Sequence, residues 1–157
     1  MENLDRVIIH AARLGEMPVL QELIDRNANV NAKDDKGYTP LIIACYNNHY
    51  EAAALLLKAN ADVDAQDDGG NTALMGVAFK GYANIAQLLI ERGANLNMQH
   101  GNGGTALMFA AMFGRNELVK LLLAHGADKS ILDSRGLSVL DLAAQQNNEE
   151  AIRLLEA

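Results

Sequence analysis

Apolar and turn-forming residues recur along this chain with a period of 33 residues. One column is leucine at every recurrence, at Leu23, Leu56, Leu89, Leu122 and Leu155. A second column contains only glycine and asparagine, at Gly15, Asn48, Gly81, Gly114 and Asn147. Glycine and asparagine are the residues that best tolerate the left-handed backbone region. Each period therefore predicts one tight turn beside an apolar face, which is the pattern of a repeat protein.

The unit at 72–104 shows the elements that one period predicts. Thr72 is a good N-cap for a short helix over 73–80, and Gly81 turns the chain into a second helix over 82–92. The rest of the unit predicts an extended arm, a tight turn and a return. Helices of eight to eleven residues are too short to be stable alone, so they must stack on the next unit.

The repeated motifs resemble those of the ankyrin-repeat family. They include T-x-L-x-x-A at the start of a unit, a Gly/Asn turn in the middle, and a tail such as Asn60-Ala61-Asp62-Val63-Asp64. There is one departure from the family's T-P-L-H motif. The place of its histidine is held by Ile9, Ile42, Met75, Met108 and Asp141. Apolar packing must replace the polar network of that histidine.

The resemblance implies an all-α fold with short β-hairpin fingers. We expect an ankyrin-repeat solenoid of about five stacked helix-turn-helix repeats with polar caps. Residues 1–157 form a single domain in this prediction, and its variant T-A-L-M motif looks bacterial. The predicted repeats are an N-terminal cap at 1–38, then 39–71, 72–104 and 105–137, and a C-terminal cap at 138–157.

Charge and hydropathy narrow the classes of partner and the compartment. The formal net charge is −7, which disfavours nucleic acid and anionic membrane surfaces. No apolar run approaches the length of a membrane span, and the first residues lack the basic and apolar regions of a signal peptide. We expect a cytoplasmic monomer, or a periplasmic protein if a leader has been removed.

The Gly-rich stretch His100-Gly101-Asn102-Gly103-Gly104 is the strongest candidate for chemistry. Its register predicts the turn of one finger, with Gly103 as the shared turn glycine. An enzyme or small-ligand site at this loop remains the alternative, and it requires a pocket beside His100 with a titratable partner. We expect no cofactor, no metal and no catalytic residue. Cys45 falls in a column of alanines, so it is expected to be a buried thiol.

The resemblance also implies a binding surface formed by the fingers and the exposed side of each first helix. The bulky residues that map to it are Tyr38, Tyr46, Phe79, Lys80, Met112 and Phe113. A polar rim maps to Asp35, Lys36, Asp68, Asn102 and Arg135. The alternative is that the aromatic rings pack sideways between neighbouring first helices.

The function implied by the resemblance is non-enzymatic protein binding. The chain would act through its concave groove and fingertips as an adaptor, inhibitor or protective partner of another protein, and its specific form would be an inhibitor or protective regulator of a partner enzyme. Its acidic fingers favour a partner with a basic patch. A purely structural role, as a fragment of a longer array, is a further alternative that the polar ends of the chain disfavour.

Overall fold

A computed structural model describes residues 3–157, and within them every regular element is a helix. The first four helices are α1 (Asn3–Leu14), α2 (Met17–Asp25), α3 (Pro40–Tyr46) and α4 (Tyr50–Lys58). They are followed by α5 (Ala73–Lys80), α6 (Ala83–Glu91), α7 (Ala106–Met112), α8 (Asn116–Ala124), α9 (Val139–Gln145) and α10 (Glu149–Glu156).

The helices group into two compact units, one ending at Ala73 and the other spanning Leu74–Ala157. In the first unit, α1 packs on α2 and α3, and α4 packs on α2 and α3. In the second unit, α7 packs on α8 and α9, while α10 packs on α8 and α9. Within each unit, one first helix therefore lies beside the next, α1 beside α3 and α7 beside α9, as stacked repeats require.

The Gly/Asn column forms the turn within each helix pair, as the sequence predicts. Its members have positive φ throughout, from 54° at Asn147 to 85° at Gly81. A second set of left-handed residues ends the second helices at Asn27, Asn60, Gly93 and Gly126. The alanine after each of them donates its N–H to the carbonyl of the leucine in the 33-residue leucine column, for example Ala127 to Leu122 at 3.0 Å. This arrangement is the Schellman helix ending, and it explains why alanine and leucine recur together.

From the second repeat onward, the first helix follows a hydroxyl residue, at Thr39, Thr72, Thr105 and Ser138. The side-chain hydroxyls of Thr39, Thr105 and Ser138 accept hydrogen bonds from backbone N–H groups three residues later, those of Ile42, Met108 and Asp141 respectively. Pro40 takes the first turn of α3, where the missing N–H costs nothing. Helix α5 begins directly after Thr72, which is buried. Its bounds of Ala73–Lys80 match the predicted helix.

The fingers differ from the expected β-hairpins, because no strand occurs in residues 3–157. Each finger is a turn closed by two backbone hydrogen bonds, such as Asp34 N–H to the Tyr38 carbonyl at 3.1 Å and Gly37 N–H to the Asp34 carbonyl at 3.0 Å. The Asp34 carboxylate accepts hydrogen bonds from the backbone N–H groups of Lys36 and Tyr38, each with a nitrogen–oxygen distance of 2.9 Å. Because a side chain satisfies these donors, no ladder of backbone bonds forms across the finger.

The apolar columns form the core of both units. The leucine column is buried throughout, with Leu56, Leu89 and Leu122 wholly inaccessible to solvent. The first repeat is less polar than the expected cap, however. Helix α1 buries Ile8, Ile9, Ala11 and Ala12 on one side and exposes Leu4, Val7 and Leu14 beside its arginines on the other.

Cys45 lies in the core of the first unit, and burial raises the pKa of its thiol to about 12. The thiolate is therefore disfavoured in the folded chain, so we expect Ellman's reagent at pH 8 to modify Cys45 only after unfolding in urea. Since the unfolded thiol loses its proton near its ordinary pKa of 9.0, stability must fall as pH rises above that value. Rapid labelling of the folded protein would contradict this assignment.

Candidate functional site

Three of the finger turns are built by an aspartate in the same register. Asp34, Asp67 and Asp133 each accept the N–H groups two and four residues later in the chain. All six of these hydrogen bonds measure between 2.8 and 3.0 Å. A carboxylate suits this turn because one oxygen can accept two backbone donors.

The remaining finger has His100 at that register position. Its Nδ1 accepts the N–H of Gly104 at 2.9 Å, which replaces one of the two bonds made by the aspartates. The imidazole ring also meets the Phe109 ring edge to face, with centroids 5.1 Å apart. Gly104 is buried against it, and a Cβ at Gly104 would lie 2.9 Å from the histidine Cε1. His100 therefore builds its finger, and Gly104 makes room for the ring.

Neighbouring fingertips within each unit are joined by backbone hydrogen bonds. The N–H of Asp68 donates to the Lys36 carbonyl at 3.0 Å, and the N–H of Ser134 donates to the Asn102 carbonyl at 2.9 Å. The side chains of Lys36, Asp68 and Asn102, which the resemblance assigns to a polar rim, are exposed. Their backbone, in contrast, holds adjacent repeats together.

In the first unit, the two tyrosines predicted for binding differ in exposure. Tyr46 ends α3 with 43% of its surface exposed, whereas Tyr38 is half-buried next to the N-cap Thr39. Asp35 is exposed on its fingertip together with Lys36. Tyr46 is thus the most accessible aromatic side chain of the predicted binding positions in this unit.

In the second unit, Phe79 and Phe113 contact each other edge to face, with ring centroids 4.6 Å apart. Phe79 is half-buried, and Phe113 leaves 44% of its surface exposed. Arg115 donates its Nε–H to the Phe79 carbonyl at 3.0 Å. This contact is the sideways packing given above as the alternative to a binding role, but it covers Phe113 only in part. Lys80, which follows Phe79 in the sequence, and Met112, which precedes Phe113, are both half-buried.

In the second unit, an open groove of about 440 Å³ lies between the finger at 100–104 and the finger at 133–137. We call it the His100 groove. Its apolar wall consists of Met108, Phe109, Met112 and Leu142, and its polar edge includes Asn102 and Arg135. Three residues predicted from the resemblance (Asn102, Met112 and Arg135) therefore line one concavity. Its volume falls in the range of ligand and anchor pockets.

The charged residues of the His100 groove neutralise each other. Arg135 donates to the Asp133 carboxylate at 2.9 Å, and only 6% of the aspartate side chain is accessible. The hydrogen bond from the Leu137 N–H lowers the pKa of Asp133, and Arg135 adds to this effect against the opposing desolvation. Asp133 is therefore ionised and paired, and the charges of Asp133 and Arg135 cancel each other.

The groove lacks the connections of a catalytic site. It contains a histidine, an aspartate and Ser134, but no hydrogen bond joins their side chains in the described part of the chain. The acceptors of Asp133 are used by Arg135 and Leu137, and Nδ1 of His100 is used by Gly104. A nucleophile and base within hydrogen-bonding reach are the requirement for covalent catalysis. The arrangement does not support the enzyme alternative.

The other histidines have separate places in the fold. His49 bonds the Arg13 carbonyl through Nε2 at 2.9 Å, and His125 bonds the Leu121 carbonyl through Nδ1 at 3.0 Å. His10 is exposed on α1. Over residues 3–157, no three His, Cys, Asp or Glu side chains cluster closely enough to hold a metal ion. None of the helices there combines the length and apolar character needed to cross a membrane.

Comparison with known proteins agrees with the repeat geometry. A family model described as "Ankyrin repeats (3 copies)" matches residues 8–100 and 74–156, which together span nearly the whole chain. The chain belongs to the ankyrin-repeat family. Ankyrin repeats indicate a protein–protein interaction module, and the family is typically non-enzymatic.

Two relatives match parts of this ankyrin-repeat chain. Ankyrin repeat domain-containing protein 49 of Drosophila melanogaster is 40% identical over 57 residues, covering 36% of this chain and 26% of the relative. Palmitoyltransferase akr1 of Aspergillus oryzae is 43% identical over 51 residues, covering 32% of this chain and 7% of the relative. The chain thus matches about a quarter or less of each relative. The bacterial origin suggested by the T-A-L-M motif stays a prediction.

Sequence reasoning missed part of the His100 groove. Met108, Phe109 and Leu142 line it but were absent from the predicted binding positions. A signal was available in the 33-residue register, because the aspartate column reads Asp34, Asp67, His100 and Asp133. A single break in a column of turn-forming acids marks a repeat in which the finger is built differently.

Proposed function

We propose that this ankyrin-repeat chain binds a partner protein through its fingertips and the exposed ends of its first helices. The binding residues would be Tyr38, Tyr46, Asp35, Lys36 and Asp68 in the first unit. In the second unit they would be Phe79, Lys80, Met112, Phe113, Asn102 and Arg135. A stack of short helices can dock a folded partner with little backbone change, which suits an inhibitor or protective regulator of a partner enzyme.

The exposure of aromatic side chains at the ends of first helices carries this proposal. Tyr46 and Phe113 leave 43% and 44% of their surfaces accessible, at adjacent places in the repeat register. Packing within a repeat does not require bulky rings there, since Gln145 and Gln146 occupy the same places in the last repeat. Exposed apolar groups of this kind mark interaction surfaces, and aromatic residues are frequent hot spots.

The charge distribution supports a basic patch on the partner. The first 73 residues contain twelve acidic and six basic residues, whereas the remaining residues contain eight and seven. Asp35 and Asp68 are exposed on fingertips of the first unit. A partner with a basic patch would therefore be attracted mainly to the first unit, and the rate of association should fall with added salt.

The test compares two variants of the full chain by affinity capture from a lysate of the source organism. The first variant combines Tyr46→Ala, Phe79→Ala and Phe113→Ala. The matched control combines Tyr50→Ala and Leu132→Ala, which remove side chains of 43% and 52% exposure from other places in the repeat. We expect a protein captured by the native chain and by the control to be lost from the triple variant.

Calorimetric titration with the captured protein then measures the effect. Hot-spot truncations usually weaken binding by about thirtyfold or more each, so the triple variant should lose at least about a hundredfold in affinity. Circular dichroism must first show that both variants retain native helix content. Equal capture by both variants would place the binding surface elsewhere. Failure of the native chain to capture any protein would contradict the proposed function.

A further inference from the structure

The finger that borders the His100 groove differs from the other three fingers in one residue. At the register position where three fingers carry a carboxylate, this finger carries an imidazole ring. The ring is half-buried, meets the Phe109 ring, and lines the concavity together with Met108, Met112 and Leu142. The exchange of aspartate for histidine therefore removes a negative charge from the groove and adds an aromatic wall.

The hydrogen bond of His100 also determines which ring nitrogen carries a proton. Nδ1 accepts the Gly104 N–H at 2.9 Å, so the proton of the neutral ring is on Nε2. No residue of the described chain accepts a hydrogen bond from this N–H. The groove thus offers one ring N–H donor next to an apolar wall.

The charges around the groove indicate an uncharged occupant. Asp133 and Arg135 are paired with each other, so neither requires a counter-charge from a ligand. A charged side chain would lose its hydration in the apolar part of the groove without gaining an ionic partner there. An uncharged apolar side chain meets no such penalty.

We propose that the His100 groove is an anchor pocket for one large apolar side chain, of leucine or phenylalanine type, on a peptide segment of the partner. The apolar wall takes the side chain, and the Nε2–H of His100 donates to a backbone carbonyl of the same segment. This inference rests on the proposed function, since it assigns that partner an anchor residue. The groove lies wholly within the second unit and can be tested without knowing the partner.

The probe is N-acetyl-L-phenylalaninamide, which carries an apolar side chain and backbone carbonyls without charge. Titrated into the chain of residues 1–157 with labelled methionine methyls, it should shift the Met108 and Met112 signals. A fragment of this size is expected to bind with Kd of the order of millimolar. N-acetyl-L-lysinamide and N-acetyl-L-aspartate, which are charged, should leave these signals unchanged at the same concentrations.

His100→Asp provides the decisive variant because it restores the residue of the other three fingers. The carboxylate can still accept the Gly104 N–H, so the finger should keep its turn, while the donor and the ring are lost and a charge enters the groove. We expect the probe to bind at least about tenfold more weakly. His125→Asp makes the same change at an exposed histidine outside the groove and should leave binding unchanged.

Two further measurements keep the inference falsifiable if His100→Asp unfolds. Met112→Ala, at a half-buried position of the wall, should also weaken the probe by several-fold. A long-range proton–nitrogen spectrum should show the Nε2–H form of His100, and the opposite tautomer would overturn the proposal. Absence of probe-induced shifts at Met108 and Met112, or equal binding to His100→Asp, would overturn it as well.

The outcome is separable from that of the proposed function. If a partner protein is captured but the probe does not bind, the anchor pocket is wrong and the binding function stands. If the probe binds but no protein is captured, the groove binds a small apolar ligand and the proposed partner interaction fails. Probe binding combined with competition by the captured partner would support both.

Discussion

Leu122→Ala is expected to lower the free energy of unfolding by about 3 kcal/mol, the middle of the range for large-to-small changes in a core. Leu122 lies on α8 with no accessible surface, and α8 packs on both α7 and α10. Its carbonyl also accepts the Ala127 N–H that ends the helix. Removal of the side chain leaves a cavity in a well-packed layer, which short helices cannot close without losing contact with their neighbours.

Urea unfolding followed by far-ultraviolet circular dichroism measures this loss, since the chain contains no tryptophan. Leu132→Ala is the matched control, because Leu132 is the same residue type in the same unit with 52% of its surface exposed. The control should change stability by less than about 0.5 kcal/mol. Similar effects of the two substitutions would contradict the assignment of the leucine column to the core.

Gly103→Ala is expected to cost about 3 kcal/mol because two separate penalties combine. The residue has a φ of 83°, where an L-residue other than glycine loses about 1 to 2 kcal/mol. A Cβ there would also lie 2.7 Å from the backbone nitrogen of Ser134 and 3.0 Å from the Cα of Asp133. The next finger must move to relieve this overlap, which disrupts the hydrogen bond from Ser134 to Asn102.

Gly136→Ala separates the two penalties. Gly136 has a φ of 79° at the same register position of the next finger, but a Cβ there would meet nothing within 4 Å. We expect this control to lose only about 1 kcal/mol, from the backbone conformation alone. The difference between the two variants then measures the close approach of neighbouring fingers. Equal losses in urea unfolding would show that this approach contributes nothing to stability.

The binding surface could be predicted only in part, for a reason visible at individual residues. The register placed Tyr46 and Phe113 at the ends of first helices, and both are exposed. It could not show that Phe113 leans on Phe79, because the contact joins residues 34 positions apart through side-chain orientation. Phe109 was missed for the same reason, since its role depends on the ring of His100.

The sequence by itself determined the features of this protein that depend on neighbouring residues. Hydroxyl N-caps, left-handed turns at glycine and asparagine, and leucine at fixed spacing act within a few residues, so their pattern predicts the helices and the family. Only the tertiary structure decided how the fingers close and meet. Aspartate side chains replace the expected strand pairing, and His100 contacts Gly104 and Phe109 at the edge of an apolar groove. The aspartate bonds act within one finger, but the contact of His100 with Phe109 and the backbone bonds between adjacent fingers depend on distances between separate repeats, which a local pattern does not encode.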